Sequence, residues 1–326
     1  MNKGTSRLGI ALGILCGVGP MATDMYLGAM PDIAASLNGS AASVQLSVMA
    51  FFLGFTVGQL FYGPISDRTG RKPMIYLALA IFVVSSVGCM VAGDVWQLLG
   101  WRLLQGAGGS IGMVMAAAVI RDLYTGAKAA RLMSVVVLVN GVAPIVAPLI
   151  GSLLLGFGSW RLIFLSLVIL GLIAAILAWF LLPETRMDEL RQVSKPHHAF
   201  KWYRHLLARR DFIPYAGTLA LAQGGFFVYI AGSSFIFIDL YGLTPLAYSL
   251  LFSFNAIGLA IGAQVATRQV PRFGLRAVAR VSTAIYGIAA VLLLAIQLAG
   301  AGGIVPTSGL LFVMVSSLGG IMPTCN

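Results

Sequence analysis

Two ionisable side chains stand well inside long apolar stretches of this chain, Asp24 and Arg102. A charge at that depth costs several kcal/mol, so such residues mark proton, ion or substrate paths by default. Asp24 precedes Pro31 by seven residues, and Arg102 follows Asp94 by eight. At about 1.5 Å of rise per residue, both groups lie about 10–12 Å below the same membrane surface. Their helices run antiparallel, so carboxylate and guanidinium are expected to meet if both helices line one cavity. A carboxylate that can exchange its cationic partner for a bound substrate becomes a proton switch. The competing reading is a permanent ion pair that only locks two helices, a device seldom favoured for stability alone.

The remaining polar groups in apolar stretches are neutral. Tyr26, Gln45, Gln59, Gln105, Asn140, Gln223, Asn255 and Gln264 suit either interhelical hydrogen bonds or ligand contacts. With Met21, Met25, Met113, Met115, Phe226 and Phe227 they are candidates to line a large, adaptable, mostly apolar cavity. Such a cavity suits uncharged or cationic amphipathic compounds better than a sugar. Gly54-xxx-Gly58 and Gly108-xxx-Gly112 permit close backbone approach between helices. Pro144 and Pro148, between Gly141 and Gly151, remove two backbone donors from one helix face and predict a bend suited to a rocking element.

The elements that carry these residues are membrane spans. Of 326 residues, 59% are hydrophobic and 10% charged, against roughly a quarter charged in a soluble domain. The mean hydropathy is +0.94. A bilayer core of about 30 Å takes about 20 apolar residues per helix. Ten stretches qualify, approximately 8–30, 43–65, 73–93, 96–120, 132–156, 160–182, 212–236, 246–267, 277–299 and 304–325. The first has Lys3 and Arg7 before it, but it exceeds a secretory h-region and contains Asp24, so an uncleaved first helix is expected.

A net charge of +11 raises nucleic acid as a partner, and its distribution argues against it. All but two of the 21 basic residues fall on alternate connections and so on one side; the exceptions are Arg161, opposite, and Arg102, within a span. Lys and Arg near span ends resist translocation, which makes the basic side and the N-terminus cytoplasmic in a bacterial inner membrane. Cys16, Cys89 and Cys325 lack paired spacing and read as packing residues. No metal-ligand set or nucleophile–base pair occurs in the spans, so an enzyme, a metal site and a cofactor are not expected.

Three segments follow: an N-terminal six-helix bundle over 1–183, a cytoplasmic linker over 184–211, and an incomplete four-helix C-terminal bundle over 212–326. The linker holds His197, His198 and His205, read as part of a solvated basic segment, with Trp202 and Tyr203 suiting contact with anionic membrane lipid. Arg68, Gly70 and Lys72 recur as Arg272, Gly274 and Arg276 at one constant offset. That fits two parallel halves of six spans, the acid Asp67 being kept in the first alone. Two further spans, about 70 residues with their loops, are then expected beyond Asn326.

At these residues the sequence resembles the major facilitator superfamily. The segment from Gly63 through Asp67, Arg68, Gly70, Arg71 and Lys72 looks like its loop motif between helices two and three. Arg102-Leu103-Leu104-Gln105-Gly106-Ala107-Gly108-Gly109 resembles the helix-four motif, and Gly141 through Pro144 and Pro148 to Gly151 the antiporter motif of helix five. Asp24-Met25-Tyr26-Leu27-Gly28-Ala29-Met30-Pro31 is similar to the helix-one motif of the bicyclomycin-resistance drug-efflux subfamily, with Gly28 where proline is usual.

The resemblance implies an all-α membrane bundle with ten of twelve helices, acting as a monomer on a small-molecule substrate and driven by the proton gradient. It implies drug:proton antiport by alternating access, with Asp24 and Arg102 coupling protons to substrate. Asp67 would close a cytoplasmic gate with nearby arginines, Arg121 among them, and with the N-terminus of helix eleven. The rival readings are a proton-coupled metabolite transporter and a fragment that does not transport.

Overall fold

A computed structural model describes residues 3–187, 208, 209 and 212–325. The histidines, Trp202, Tyr203 and most of the expected linker lie outside the described residues. Among the described residues, ten helices are long and apolar enough to cross a membrane: Arg7–Leu27, Ala41–Thr69, Arg71–Val91, Val95–Leu123, Gly126–Gly156, Arg161–Leu181, Ile213–Leu240, Pro245–Phe273, Leu275–Leu298 and Ile304–Cys325. They are spans one to ten below, and they fall on the ten apolar stretches. No strand occurs among the described residues. The chain divides into two compact units, Met1–Lys201 and Trp202–Asn326.

Local chemistry sets the span ends. The first helix stops at Leu27, where Gly28 and Ala29 turn the chain before a short helix, Met30–Ser36. Pro31 lies in the first turn of that short helix, where a missing N–H breaks no intrahelical bond. Ser40 caps span two by accepting from Ser43 N at 3.2 Å, and Asp94 caps span four by accepting from Gln97 N at 2.9 Å. Span four is two helices, Val95–Gly109 and Ile111–Leu123, joined through Ser110. Span seven ends in a π-helical turn, Phe235–Leu240. Span five continues as one helix through both Pro144 and Pro148.

Spans two and three meet at Gly70, with φ 102° and ψ 158°; spans eight and nine meet at Gly274, with φ 81° and ψ 153°. That backbone region is essentially closed to residues with a Cβ. The sequence repeat therefore extends to a shared backbone conformation.

In the first unit, span two packs on span four, span one on span five, and span three on spans four and six. Glycine makes the tightest crossings possible. A Cβ added at Gly54 would lie 1.9 Å from the Leu103 carbonyl oxygen, and one at Gly106 1.9 Å from that of Phe51. Gly112 faces the backbone of Leu15, and Gly151 that of Met25, at 2.3 Å each. In the second unit, spans eight and ten cross in the same manner, Gly262 against Ser316 O and Gly319 against Leu259 O. The closest approach there is one turn nearer the loop glycine than at Gly54. Large apolar side chains such as Leu53, Val84, Leu138, Ile176, Leu221 and Leu294 stand exposed along the spans, as lipid-facing helices require.

Candidate functional site

Arg102 is wholly buried in the first unit. Its Nη1 donates to Ala22 O at 3.0 Å and to Gln105 Oε1 at 2.7 Å. The guanidinium lies over the rings of Tyr26 and Phe51, 4.3 and 4.4 Å from their centroids. Gln105 Nε2 donates to Ser86 Oγ at 2.8 Å, and Ser86 Oγ donates to Phe82 O at 2.6 Å. Tyr26 is held in turn by a 2.7 Å hydrogen bond between its hydroxyl and Ser47. Arg102 Nε and Nη2 are buried with no hydrogen-bond acceptor among the described residues.

The expected ion pair is absent from this arrangement. Asp24 is buried, yet its carboxylate takes part in no hydrogen bond or ion pair among the described residues. The reason is azimuth rather than depth. Ala22 and Tyr26 are one turn apart and both face Arg102, whereas Asp24, two residues from each, projects from the opposite side of the same helix. Equal depth on antiparallel helices brings two side chains together only when both also point across the gap.

A second cluster joins the basic ends of the spans. Arg71, 2% exposed, pairs with Asp67 at 2.8 Å and Asp122 at 3.0 Å, and its Nη1 donates to Ser66 Oγ at 2.6 Å. Glu184, just past span six, accepts from the backbone N–H groups of Arg71 at 3.0 Å and Lys72 at 3.1 Å. These are the first two amides of span three, so the carboxylate caps that helix where its dipole favours negative charge. Lys72 Nζ donates to Trp179 O at 3.2 Å, and Thr185 Oγ1 donates to Asp122 at 3.0 Å. Arg186 Nε donates to Asp67 O at 3.2 Å, with Nη2 3.8 Å from the Asp67 carboxylate.

The Major Facilitator Superfamily family model matches residues 12–326. The chain belongs to that superfamily. It is 38% identical to the uncharacterized MFS-type transporter YdgK of Bacillus subtilis (strain 168), over 83% of this chain and 67% of that one. It is 30% identical to a bicyclomycin resistance protein homolog of Haemophilus influenzae, over 87% of this chain and 71% of that one. The chain spans about two thirds of the length of the curated relatives it matches. Among solved structures, the partially occluded inward-open xylose transporter XylE of E. coli superposes with a TM-score of 0.77 at 15% identity, over 98% of this chain and 85% of that one. That likeness is one of fold. A multi-pass helical membrane protein of a transporter superfamily, rather than an enzyme, is thus the reading that holds.

Against this superfamily framework the remaining site expectations divide. Of the cavity candidates, Tyr26, Gln105 and Asn255 are buried and engaged between helices, Asn255 through a 2.8 Å donation to Tyr229 OH. Met21, Gln45, Met113, Asn140, Gln223 and Phe226 are half-buried, with Phe226 packed against the buried cluster of Ala222, Leu318 and Ile321. Of the gate candidates, Asp67, Arg71 and Lys72 join the network, Gly70 supplies its turn, and Gly63 O accepts from Ser66 Oγ at 2.8 Å. Arg68 and Arg121 do not join: both are exposed and form no ion pair among the described residues. The neighbour of Arg121, Asp122, supplies the contact instead, because a guanidinium such as that of Arg71 needs acceptors and not a further cation.

In the span-five motif, Gly151 makes a close backbone contact while Gly141 faces open space within its unit. Ser66, Ser86, Phe51, Asp122, Glu184 and Arg186 were not singled out as site residues from sequence. The usable signal was sign: Asp122 and Glu184 are acids at the basic ends of spans, where a carboxylate has cations and helix N-termini to meet.

Proposed function

We propose that this chain exports small amphipathic compounds across the bacterial inner membrane by drug:proton antiport, through alternating access, with Asp24 as the proton carrier. The observation that carries the reading is Asp24 itself, a buried carboxyl within span one that makes no ion pair or hydrogen bond among the described residues. A carboxyl in that setting is neutral or charged according to what approaches it, so it can exchange a proton for a cationic or donor-bearing substrate. Its position inside a helix-one motif like that of drug-efflux relatives, and a relative named for bicyclomycin resistance, support the drug class. The apolar, half-buried candidates Met21, Met113 and Phe226 support an amphipathic substrate. The basic residues on alternate connections support a cytoplasmic N-terminus.

The test is efflux of ethidium from cells or everted vesicles containing the full chain. Export that collapses with the proton gradient, and is lost in Asp24→Asn, is the expected result. Equal gradient-driven efflux by Asp24→Asn would remove Asp24 from the mechanism, and no efflux by the parent chain would remove the activity. Stabilisation by a metabolite panel, with no effect of cationic dyes, would favour the metabolite reading instead.

A further inference from the structure

Arg102 is a buried cation whose setting is fixed entirely by neutral groups. The rings of Tyr26 and Phe51 lie 4.3 and 4.4 Å from its central carbon, which leaves rotation against those rings as its freedom. That rotation is set along one edge. Nη1 grips both Ala22 O and Gln105 Oε1, Gln105 Nε2 reaches Ser86, and Ser86 ends on Phe82 O. The wiring has one direction. A guanidinium has no acceptor, so Gln105 must offer it oxygen and turn its NH2 to Ser86. Ser86 must then accept there and donate to the backbone. The series crosses three helices: span one through Ala22, span four through Arg102 and Gln105, and span three through Ser86 and Phe82.

We propose that Ser86 and Gln105 are positioning residues for Arg102, and rest this on the transport reading above. They hold the guanidinium so that Nη1 tethers the outer turn of span one, which carries Asp24, to span four. They also leave Nε and Nη2, both buried and without an acceptor among the described residues, as the donors with which Arg102 acts. Removing either residue frees the guanidinium to turn, and the tether on Ala22 loosens. The effect falls on the rate at which the outer end of span one changes state, not on affinity for the transported compound.

The experiment uses the full chain and two readouts. In proteoliposomes, Gln105→Leu exchanges ethidium about tenfold more slowly, the loss of one hydrogen bond to a charged group, with half-saturation unchanged. Ser86→Ala slows exchange less, and Ser86→Thr, which keeps the hydroxyl, restores it. Independently of transport, the arginine Nε–H resonance that disappears in Arg102→Lys is protected from solvent exchange in the parent and in Ser86→Thr. It shifts and loses protection in Ser86→Ala and Gln105→Leu. An unchanged resonance in both, or equal losses of rate and affinity, overturns the proposal. If the parent exchanges no ethidium, the transport reading fails while the resonance still decides the positioning role. Should Gln105→Leu not fold, Ser86→Ala decides it alone, since it removes a single oxygen.

Discussion

At the scale of single residues, the question is whether Asp24 and Arg102 are one unit or two. An ion pair buried in apolar surroundings couples strongly, and removing one partner of such a pair costs about 3–5 kcal/mol. Here Arg102 is held by Ala22 O, Gln105 and two rings, none of which involves Asp24. Asp24→Asn is therefore expected to leave the thermal midpoint unchanged or raised. Arg102→Gln lowers it, and the two changes add to within about 0.5 kcal/mol in the double variant. Coupling beyond about 2 kcal/mol would restore the ion pair. Sequence reading located both residues because a charge inside an apolar run is conspicuous. It did not predict their separation, because it measured depth along each helix and not the direction in which each side chain leaves it. That Ala22, a residue with no functional side chain, anchors the guanidinium by its carbonyl is invisible to any inventory of residue types.

At the scale of elements, the crossings were legible where small residues repeat every fourth position, and their partners were not. Gly54 and Gly106 are each so close to the opposing backbone that any Cβ overlaps a carbonyl oxygen. Gly54→Ala and Gly106→Ala are expected to abolish the monodisperse, folded fraction on size-exclusion chromatography. Gly141→Ala, in the span-five motif and facing open space within its unit, is expected to fold as well as the parent, with a gain of about 0.5–1 kcal/mol in helix preference. Normal yield of Gly54→Ala would mean that spans two and four do not approach at that point. The capping of span three argues at the same scale. Glu184 accepts from the amides of Arg71 and Lys72, so Glu184→Gln should weaken the cap by about 1–2 kcal/mol. The measurable consequence is faster hydrogen exchange at those two amides, with exchange deep in spans two and four unaltered. Glu184, read as the first residue of a linker, thus caps a helix more than a hundred residues earlier in the chain; its sign hinted at such a role, and the tertiary structure supplies the partner.

At the scale of the whole chain, the alternation of spans was deduced from where the positive charges fall, and bonds between span ends supply an independent check within each unit. In the first unit the ends of spans two, four and six and the start of span three are tied by Asp67, Arg71, Asp122, Glu184 and Arg186. Their other ends are tied separately, with Trp160 Nε1 donating to Ser36 Oγ at 2.7 Å and Arg161 Nη2 to Ala92 O at 3.2 Å. In the second unit, Gln297 Nε2 donates to Thr307 Oγ1 at 2.9 Å, and Tyr241 OH lies 3.3 Å from the same oxygen. The connection after span seven thus shares an end with the one after span nine. In the first unit those ties leave Arg71, Lys72 and Arg186 at one end of the spans and Arg161 at the other, as the alternation of charge expects. The proposed cytoplasmic N-terminus rests on the reluctance of Lys and Arg to cross, and it can be tested directly. In a Cys325→Ser background, where the remaining Cys16 and Cys89 are buried, Lys128→Cys and Arg272→Cys should resist an impermeant maleimide added to intact cells and react once the membrane is opened. Ser159→Cys and Ala299→Cys, both exposed on the opposite connections, should react in intact cells. Reaction of all four from outside would break the alternation. The reversed pattern would invert the membrane orientation and place Asp24 and Arg102 nearer the cytoplasmic surface, so that protons would reach Asp24 from the wrong compartment for export.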